Sequence, residues 1–481
     1  MSRETNPKGL LIIIAFLLTI LSTAALGRII YVDDDGPADF NNIQAAINYS
    51  SNGDTILVAD GTYRGNGNRD IDFNGKSITL KSKNGPENCI IDCKGTEEEG
   101  HRGFHFHSGE GQKSIVSGFT IVGGDGPVEF YGGAVFCSAA SPTIYNCIII
   151  YNSAGNDGGG IFCSDGSSPM IANNIIVENT AGYKGGGICS SNSSPMITNN
   201  TIEGNWGGLY GGGIWCNDSY LTITGNTIAR NRAHCGGGLF CLTSSAMITG
   251  NRVTENTTDV HAGGMYCRES SPIIIRNNTI TGNYGSGIGF VWSTATIMNN
   301  TIAGNETGIY CYESSWTITN CILWDNGGDL SGCSVTYSCI KDKSTWEGNI
   351  HSDPMFVIPG RWDNAGTPET PWDDFWVDGD YHLKSQAGRW DANEGRWTKD
   401  EVTSLCIDAG DPMSPIGLEP FPNGGRINMG AYGGTKEASK SYFGEPVCET
   451  IVAGDINGDC KIDYQDLFFL SLNWLADNRP Q

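Results

Sequence analysis

One short phrase recurs along the middle of this chain, and it limits the fold more than any other feature. Glycines, an aliphatic residue, a variable position and Cys follow one another at Gly132–Cys137, Gly158–Cys163, Gly211–Cys216 and Gly236–Cys241, with variants at Ala262–Cys267 and Glu306–Cys311. A second phrase follows each time, such as Ser168–Ile176, and the unit closes on an asparagine. The closing residues are Asn152, Asn179, Asn205, Asn231, Asn256, Asn283, Asn305 and Asn326, spaced 21 to 27 residues apart. Only Gly, Ser, Asn and Pro lie between the phrases, which leaves no room for the helix of a leucine-rich or βαβ repeat. The arithmetic fits three short strands per turn, each stacked in parallel on the turns before and after. The expected fold is therefore all-β, a single-stranded parallel β-helix with its repeats over residues 130–326.

The period of two along a strand assigns the faces. Val135, Ile161, Ile188, Ile214, Leu239, Met265, Ile288 and Ile309 are expected to point inward, and Cys137, Cys163, Cys216, Cys241, Cys267 and Cys311 with them. Parallel neighbours have side-by-side Cβ vectors, which strain a disulfide, so a stack of buried thiols is preferred to a stack of bridges. The closing asparagines suit an internal ladder, because each amide can bond its neighbour about 4.8 Å away.

Composition narrows the function classes. Lys and Arg number 29 against 53 Asp and Glu, a net charge of −24, and no basic run occurs. Nucleic acid is thereby excluded as a partner. Disorder is excluded by 39% hydrophobic residues with 12 Trp. Arg3 and Lys8 precede the apolar run Leu10–Leu21, and Ala25-Leu26-Gly27 offers the small residues of a cleavage site. Twelve apolar residues are too few to span a bilayer, which takes about 20. Residues 1–27 are thus expected to be a signal peptide, and the mature chain, starting near Arg28, to be secreted or cell-surface with no transmembrane span and a charge of −24 − 1 = −25.

Ahead of the repeats, Phe40–Ile47 has apolar groups at helical spacing, and Gly53–Tyr63 reads as turn, strand, turn. That order resembles the capped entrance of the pectin-lyase-like right-handed parallel β-helix superfamily. The segments Asp380–Leu383, Cys406–Pro412 and Asn428–Tyr432 are similar to the closing turns of bacterial surface β-helix proteins. The resemblance covers residues 28–440 and implies a right-handed coil, an N-terminal capping helix and extracellular polysaccharide as the partner. It leaves activity open, since the superfamily includes lyases, glycoside hydrolases, esterases and proteins without catalysis.

A third unit is expected over residues 441–481. Asp455, Asn457, Asp459, Lys461 through its carbonyl, Asp463 and Asp466 have the spacing of a wrapped Ca²⁺ loop, and a helix follows. This resembles one half of a dockerin, which implies Ca²⁺ as cofactor and a cohesin-like or surface anchor as partner. Cys460 replaces the usual turn glycine and the second half is missing, so the anchor is in doubt. Cys448 and Cys460 are candidates for a disulfide that would secure this unit.

Three sets of residues are candidates for the site. The outward row between the aliphatic and Cys positions reads Phe136, Phe162, Cys189, Trp215, Phe240, Tyr266, Gly289 and Tyr310, whose rings could stack sugars along the axis. The Trp-rich insert at 358–404 is the alternative, as a lid over the same row. A chemically mixed row, Tyr131, Asp157, Lys184, Tyr210, Cys235, His261 and Tyr284, with His234 beside it, is either turn variation or the source of a base and a cation for a lyase. A carboxylate row, Asp165, Asp218, Glu269 and Glu313, is spaced about 9.6 Å over two turns, just past the window of inverting hydrolysis. His105 and His107, with His101 nearby, lack an obvious third metal ligand and read as solvent-facing strand residues.

Overall fold

The computed structural model describes residues 27–127, 129–342, 346–367, 374–444, 454, 456 and 461–474. The chain winds as a parallel β-helix whose wall consists of three long sheets. Two have twelve strands, from Ile29–Val32 to Ser315–Thr319 and from Gly61–Arg64 to Cys339–Ile340; the third has ten, from Phe104–Phe106 to Leu330–Ser331. Five turns carry a fourth short strand that the sequence reading lacks, forming a sheet from Ser153–Ala154 to Thr257–Val260.

Register follows the repeat. Ile161 pairs with Ile188, Ile188 with Ile214 and Ile214 with Leu239, all fully buried. The Cys row faces in beside them, with Cys216 paired to Cys241 and Cys241 to Cys267, and every described cysteine is a free thiol. Burial pushes the Cys216 thiol well above its ordinary value, so it stays protonated and packs as a small apolar group.

Polar ladders hold the corners. Asn179 Nδ2 donates to Asn205 Oδ1 at 3.0 Å, and Asn205 Nδ2 to Asn231 Oδ1 at 3.0 Å, and the pattern continues to Asn326. A second ladder, Asn174–Asn200–Asn226–Asn251–Asn278–Asn300, runs along the bend between the first two sheets. Seryl hydroxyls of Ser219, Ser244, Ser270 and Ser293 accept backbone N–H groups at the third corner. Each ladder residue follows a left-handed position, such as Asn173, Glu178 or Asp218. The bend turns backbone amides inward, and the ladder side chains supply acceptors that a strand partner cannot.

The ends are closed differently. The helix Ile43–Tyr49, capped by the Asn42 side chain accepting Ala45 N–H, lays Ile43, Ala46 and Ile47 over the first turn. At the other end, residues 406–434 climb the side of the coil, where Asn277 Nδ2 donates to the Ala431 and Gly433 carbonyls. The insert forms two antiparallel hairpins, Arg361–Asp363 with Phe375–Val377 and Arg389–Asp391 with Arg396–Thr398. No helix among the described residues is long and apolar enough to cross a membrane.

Candidate functional site

The two rows that the sequence presents separately form one layer. Beyond Asn152, Asn179, Asn205, Asn231 and Asn256 the added strand runs out, doubles back at a left-handed residue, a glycine in four turns and His261 in the fifth, and enters the third sheet. At Gly211, with φ of 62°, a Cβ would sit 2.7 Å from that of Trp215. The absent side chain lets the returning backbone lie against its own ring. The mixed row therefore packs on the aromatic row, mostly one turn further along. Tyr131 meets Phe162 with ring centroids 5.1 Å apart, Tyr210 meets Phe240 at 5.1 Å, and the Lys184 ammonium lies 4.6 Å from the Trp215 centroid. His261 stacks on Tyr266 of its own turn at 4.7 Å and 2°.

This corrects the expectation of an open row of rings. Phe162, Trp215, Phe240 and Tyr266 are only 4–7% exposed, while Phe136 and Tyr310 at the ends are half-buried. The cover is the mixed row and not the insert, which docks elsewhere on these turns, against Arg252, Thr281, Gly282 and Gly304. Alternation places a residue outside the coil's core, but it does not say whether another strand covers it.

What remains open is a groove of about 360 Å³ where the layer parts. Lys184, Tyr210, Trp215, Asn217, Phe240 and Arg268 line it. Both charged groups among its lining residues are cations. Lys184 is tethered by Asp157, 3.8 Å from its ammonium, and Arg268 by Glu269 at 3.1 Å. Asp157 is buried, its carboxyl is raised above the ordinary range mainly by that burial against the opposing pull of Lys184, and its Oδ1 has no hydrogen-bond partner among the described residues. The buried Trp215 Nε1–H also lacks an acceptor. An unpaired buried polar group costs about 1–3 kcal/mol; the Trp215 indole walls the groove, whereas Asp157 stands behind Lys184 and is not part of its lining.

The other candidates fall elsewhere. His234 lies 3.3 Å from Asp259, on the outer surface. Burial, with Arg268 and His234 adding to it, lowers His261 below the ordinary imidazole value, so it is neutral at neutral pH. The carboxylate row belongs to the third corner: Asp165 accepts the Ser138 and Ser164 hydroxyls, and Asp218 accepts that of Thr243. These are corner contacts and do not form an acid–base pair. His105 corrects the solvent-facing expectation. It is stacked on Phe136 at 5.0 Å and 6°, and its imidazole is lowered to about 4, chiefly by burial. His107 pairs with Asp72 at 3.2 Å instead of joining a metal set.

Of the Ca²⁺ residues, Asp455, Asn457 and Asp459 lie outside the described residues, as do Cys448, Cys460 and residues 1–26. The described part keeps the form of a loop entering a helix, Tyr464–Trp474. Asp466 accepts the Ile456 and Asp463 N–H groups at 2.7 Å each, while Asp463 accepts that of Gln465 at 2.8 Å. Both are carboxylates, the ligand type that Ca²⁺ takes.

A family model described as "Right handed beta helix region" matches residues 38–228, 154–259 and 186–349. No curated protein sequence matches the chain. Among solved structures, pectate lyase Pel9A is similar at 16% identity over 85% of this chain and 97% of that one, with a TM-score of 0.48. The PL6 family alginate lyase AlyGC is similar at 14% identity over 78% of this chain and 57% of that one, with a TM-score of 0.38.

Proposed function

This chain belongs to the right-handed β-helix family, and on that footing we propose that it is an exported protein that binds an extracellular polysaccharide in the groove between Lys184 and Arg268. The observation that carries the reading is an aromatic-walled groove whose charged lining residues are both cations. Carboxylates of a uronate chain fit Lys184 and Arg268, and the edges of Tyr210 and Phe240 give apolar contact to the ring faces. The net charge of −24 opposes long-range capture of an acidic polymer, so recognition is short-range and improves as salt screens the repulsion. The tail, with Ca²⁺ held by Asp455, Asn457, Asp459, Lys461, Asp463 and Asp466, serves attachment in this reading. A glycan array with the full mature chain tests it: binding concentrated on uronate polymers is expected, and a blank array removes it.

A lyase is the second reading, favoured by the neutral His261 near the positive charge of Arg268. An uncharged imidazole can take a proton from the sugar carbon beside the carboxylate, whose charge the guanidinium would neutralise. Incubating the bound polymer and looking for unsaturated products separates the two.

A further inference from the structure

The first hairpin of the insert builds a second cleft, which shares no lining residue with the groove. The fourth sheet ends at Thr257–Val260, and one turn beyond it Tyr284 donates its hydroxyl to the Asp374 carbonyl at 2.9 Å. The hairpin thus stands where the next strand of that sheet would have continued.

Its seat is specific. Trp376 lies flat over Gly282 and Gly304, where any Cβ would come within 2.2 Å of the indole. Asp378 then pins the hairpin, accepting from Arg252 Nε, Thr281 Oγ1, Trp376 Nε1 and the Tyr381 hydroxyl at 2.5 to 3.2 Å. Trp362 packs on Trp376 with centroids 5.5 Å apart and donates its Nε1–H to the Gly304 carbonyl at 2.8 Å. Fixed in this way, Trp362 still leaves 37% of its surface open and Phe375 leaves 47%, two apolar platforms held in place before any ligand arrives.

Between the hairpin and the coil lies a cleft of about 490 Å³. Opposite Trp362 and Phe375 stand Arg230, Arg232 and Glu255. Arg230 is held by Glu203 and Glu255, whereas Arg232 reaches only Asp259 among the described residues, at 3.6 Å with both side chains more than half exposed. Two guanidinium groups are balanced by the Glu255 and Asp374 carboxylates, so unlike the groove the lining has no net charge.

We propose that this cleft is a binding site for a neutral oligosaccharide, with a pyranose face on Trp362 and Phe375 and its hydroxyls shared between Arg232 and Glu255. Paired donors and acceptors satisfy hydroxyl groups, which both give and take hydrogen bonds, whereas an anionic sugar would meet Glu255 and Asp374 as well as the arginines. The site is separate from the groove and does not depend on its function.

Calorimetry of the full mature chain with neutral gluco-, manno- and galacto-oligosaccharides, and with oligogalacturonate, tests this. At least one neutral sugar is expected to bind, with affinity falling about tenfold or more in Trp362→Ala and severalfold in Arg232→Ala, and to be unaffected by Lys184→Met. Arg232 is exposed, so its variant keeps the test valid if Trp362→Ala unseats the hairpin. Failure of every neutral sugar to bind overturns the proposal, as does binding that survives both cleft variants or is lost with Lys184→Met. Loss of oligogalacturonate binding alone strikes the groove and leaves the cleft standing.

Discussion

The Lys184 ammonium lies 4.6 Å from the ring centroid of Trp215, a residue one turn further along the coil, and 3.8 Å from Asp157. Two rows of side chains that are separate in sequence meet at this contact, which gives the groove its charge and its aromatic wall. Lys184→Met keeps the stem over the indole but removes the charge. The expected result is a chain that still folds but melts lower at neutral pH, because buried Asp157 loses its counter-charge, with at least tenfold weaker binding of a uronate polymer, read by calorimetry. Equal binding by the variant would take Lys184 out of the site.

The asparagine ladder makes a sharper stability prediction than the apolar core. Asn179 Oδ1 accepts both the backbone and the side-chain N–H of Asn152, at 3.1 and 3.0 Å in a fully buried corner. Asn179→Ala strands the Asn152 backbone N–H, while the Asn152 amide keeps the Ile121 and Ile150 carbonyls, and it takes the Asn179 amide donor from the Ile149 carbonyl; a loss of about 2 kcal/mol is expected from denaturant unfolding. A loss below about 1 kcal/mol would mean that the corner rearranges to satisfy itself.

Ile214 is fully buried between Ile188 and Leu239. Ile214→Asp places an unpaired charge in the core and, because each turn rests on its neighbours, is expected to unfold several turns at once. Hydrogen exchange reads this as lost protection on both flanking turns, and protection lost at one strand alone contradicts it.

The C-terminal cap carries a pH dependence. Glu419 is buried, with Oε1 accepting the Asn428 and Gly434 N–H groups, and burial raises its carboxyl to about 7 from an ordinary value of 4.5. The folded state therefore holds its proton more tightly than the unfolded chain. That contribution favours folding fully at low pH, is lost as pH rises from about 4.5 through about 7, and is gone above it. Glu419→Gln keeps the accepting oxygen without the charge, so the variant should melt higher than the wild type at pH 8 and match it near pH 4. Parallel melting curves at the two pH values would contradict the assignment.

The tail prediction concerns metal. Asp455, Asn457, Asp459 and Asp466, with the Lys461 carbonyl, are expected to converge on one Ca²⁺. Titration of the full chain with Ca²⁺ should give heat that is absent in Asp466→Ala, and a titration without Ca²⁺-specific heat removes the site.

Most of the coil was legible in the residues. A fixed period of aliphatic and Cys positions sets the register, and the spacing of Asn152, Asn179 and Asn205 sets the corner ladder, because both depend on nearest turns alone. The site was less so. Tyr131 and Tyr210 read as turn variation, since only a chain doubling back at Gly132 or Gly211 lays them over Phe162 and Phe240. The insert's docking was not legible, because Trp376 finds its seat on Gly282 and Gly304 some 70 to 90 residues upstream. The signal was present as left-handed glycine corners in two successive turns, at positions that Glu255 and Arg230 fill in the turns before.

The account centres on glycan capture by the groove, and the most direct measurement is the affinity of the mature chain and of Trp215→Ala for the best uronate polymer, with melting temperature recorded alongside. Losing the ring that walls the groove should weaken binding about tenfold or more while the coil still folds, since Trp215 stands outside the inward core. A folded Trp215→Ala chain that binds the polymer as tightly as the wild type contradicts the account.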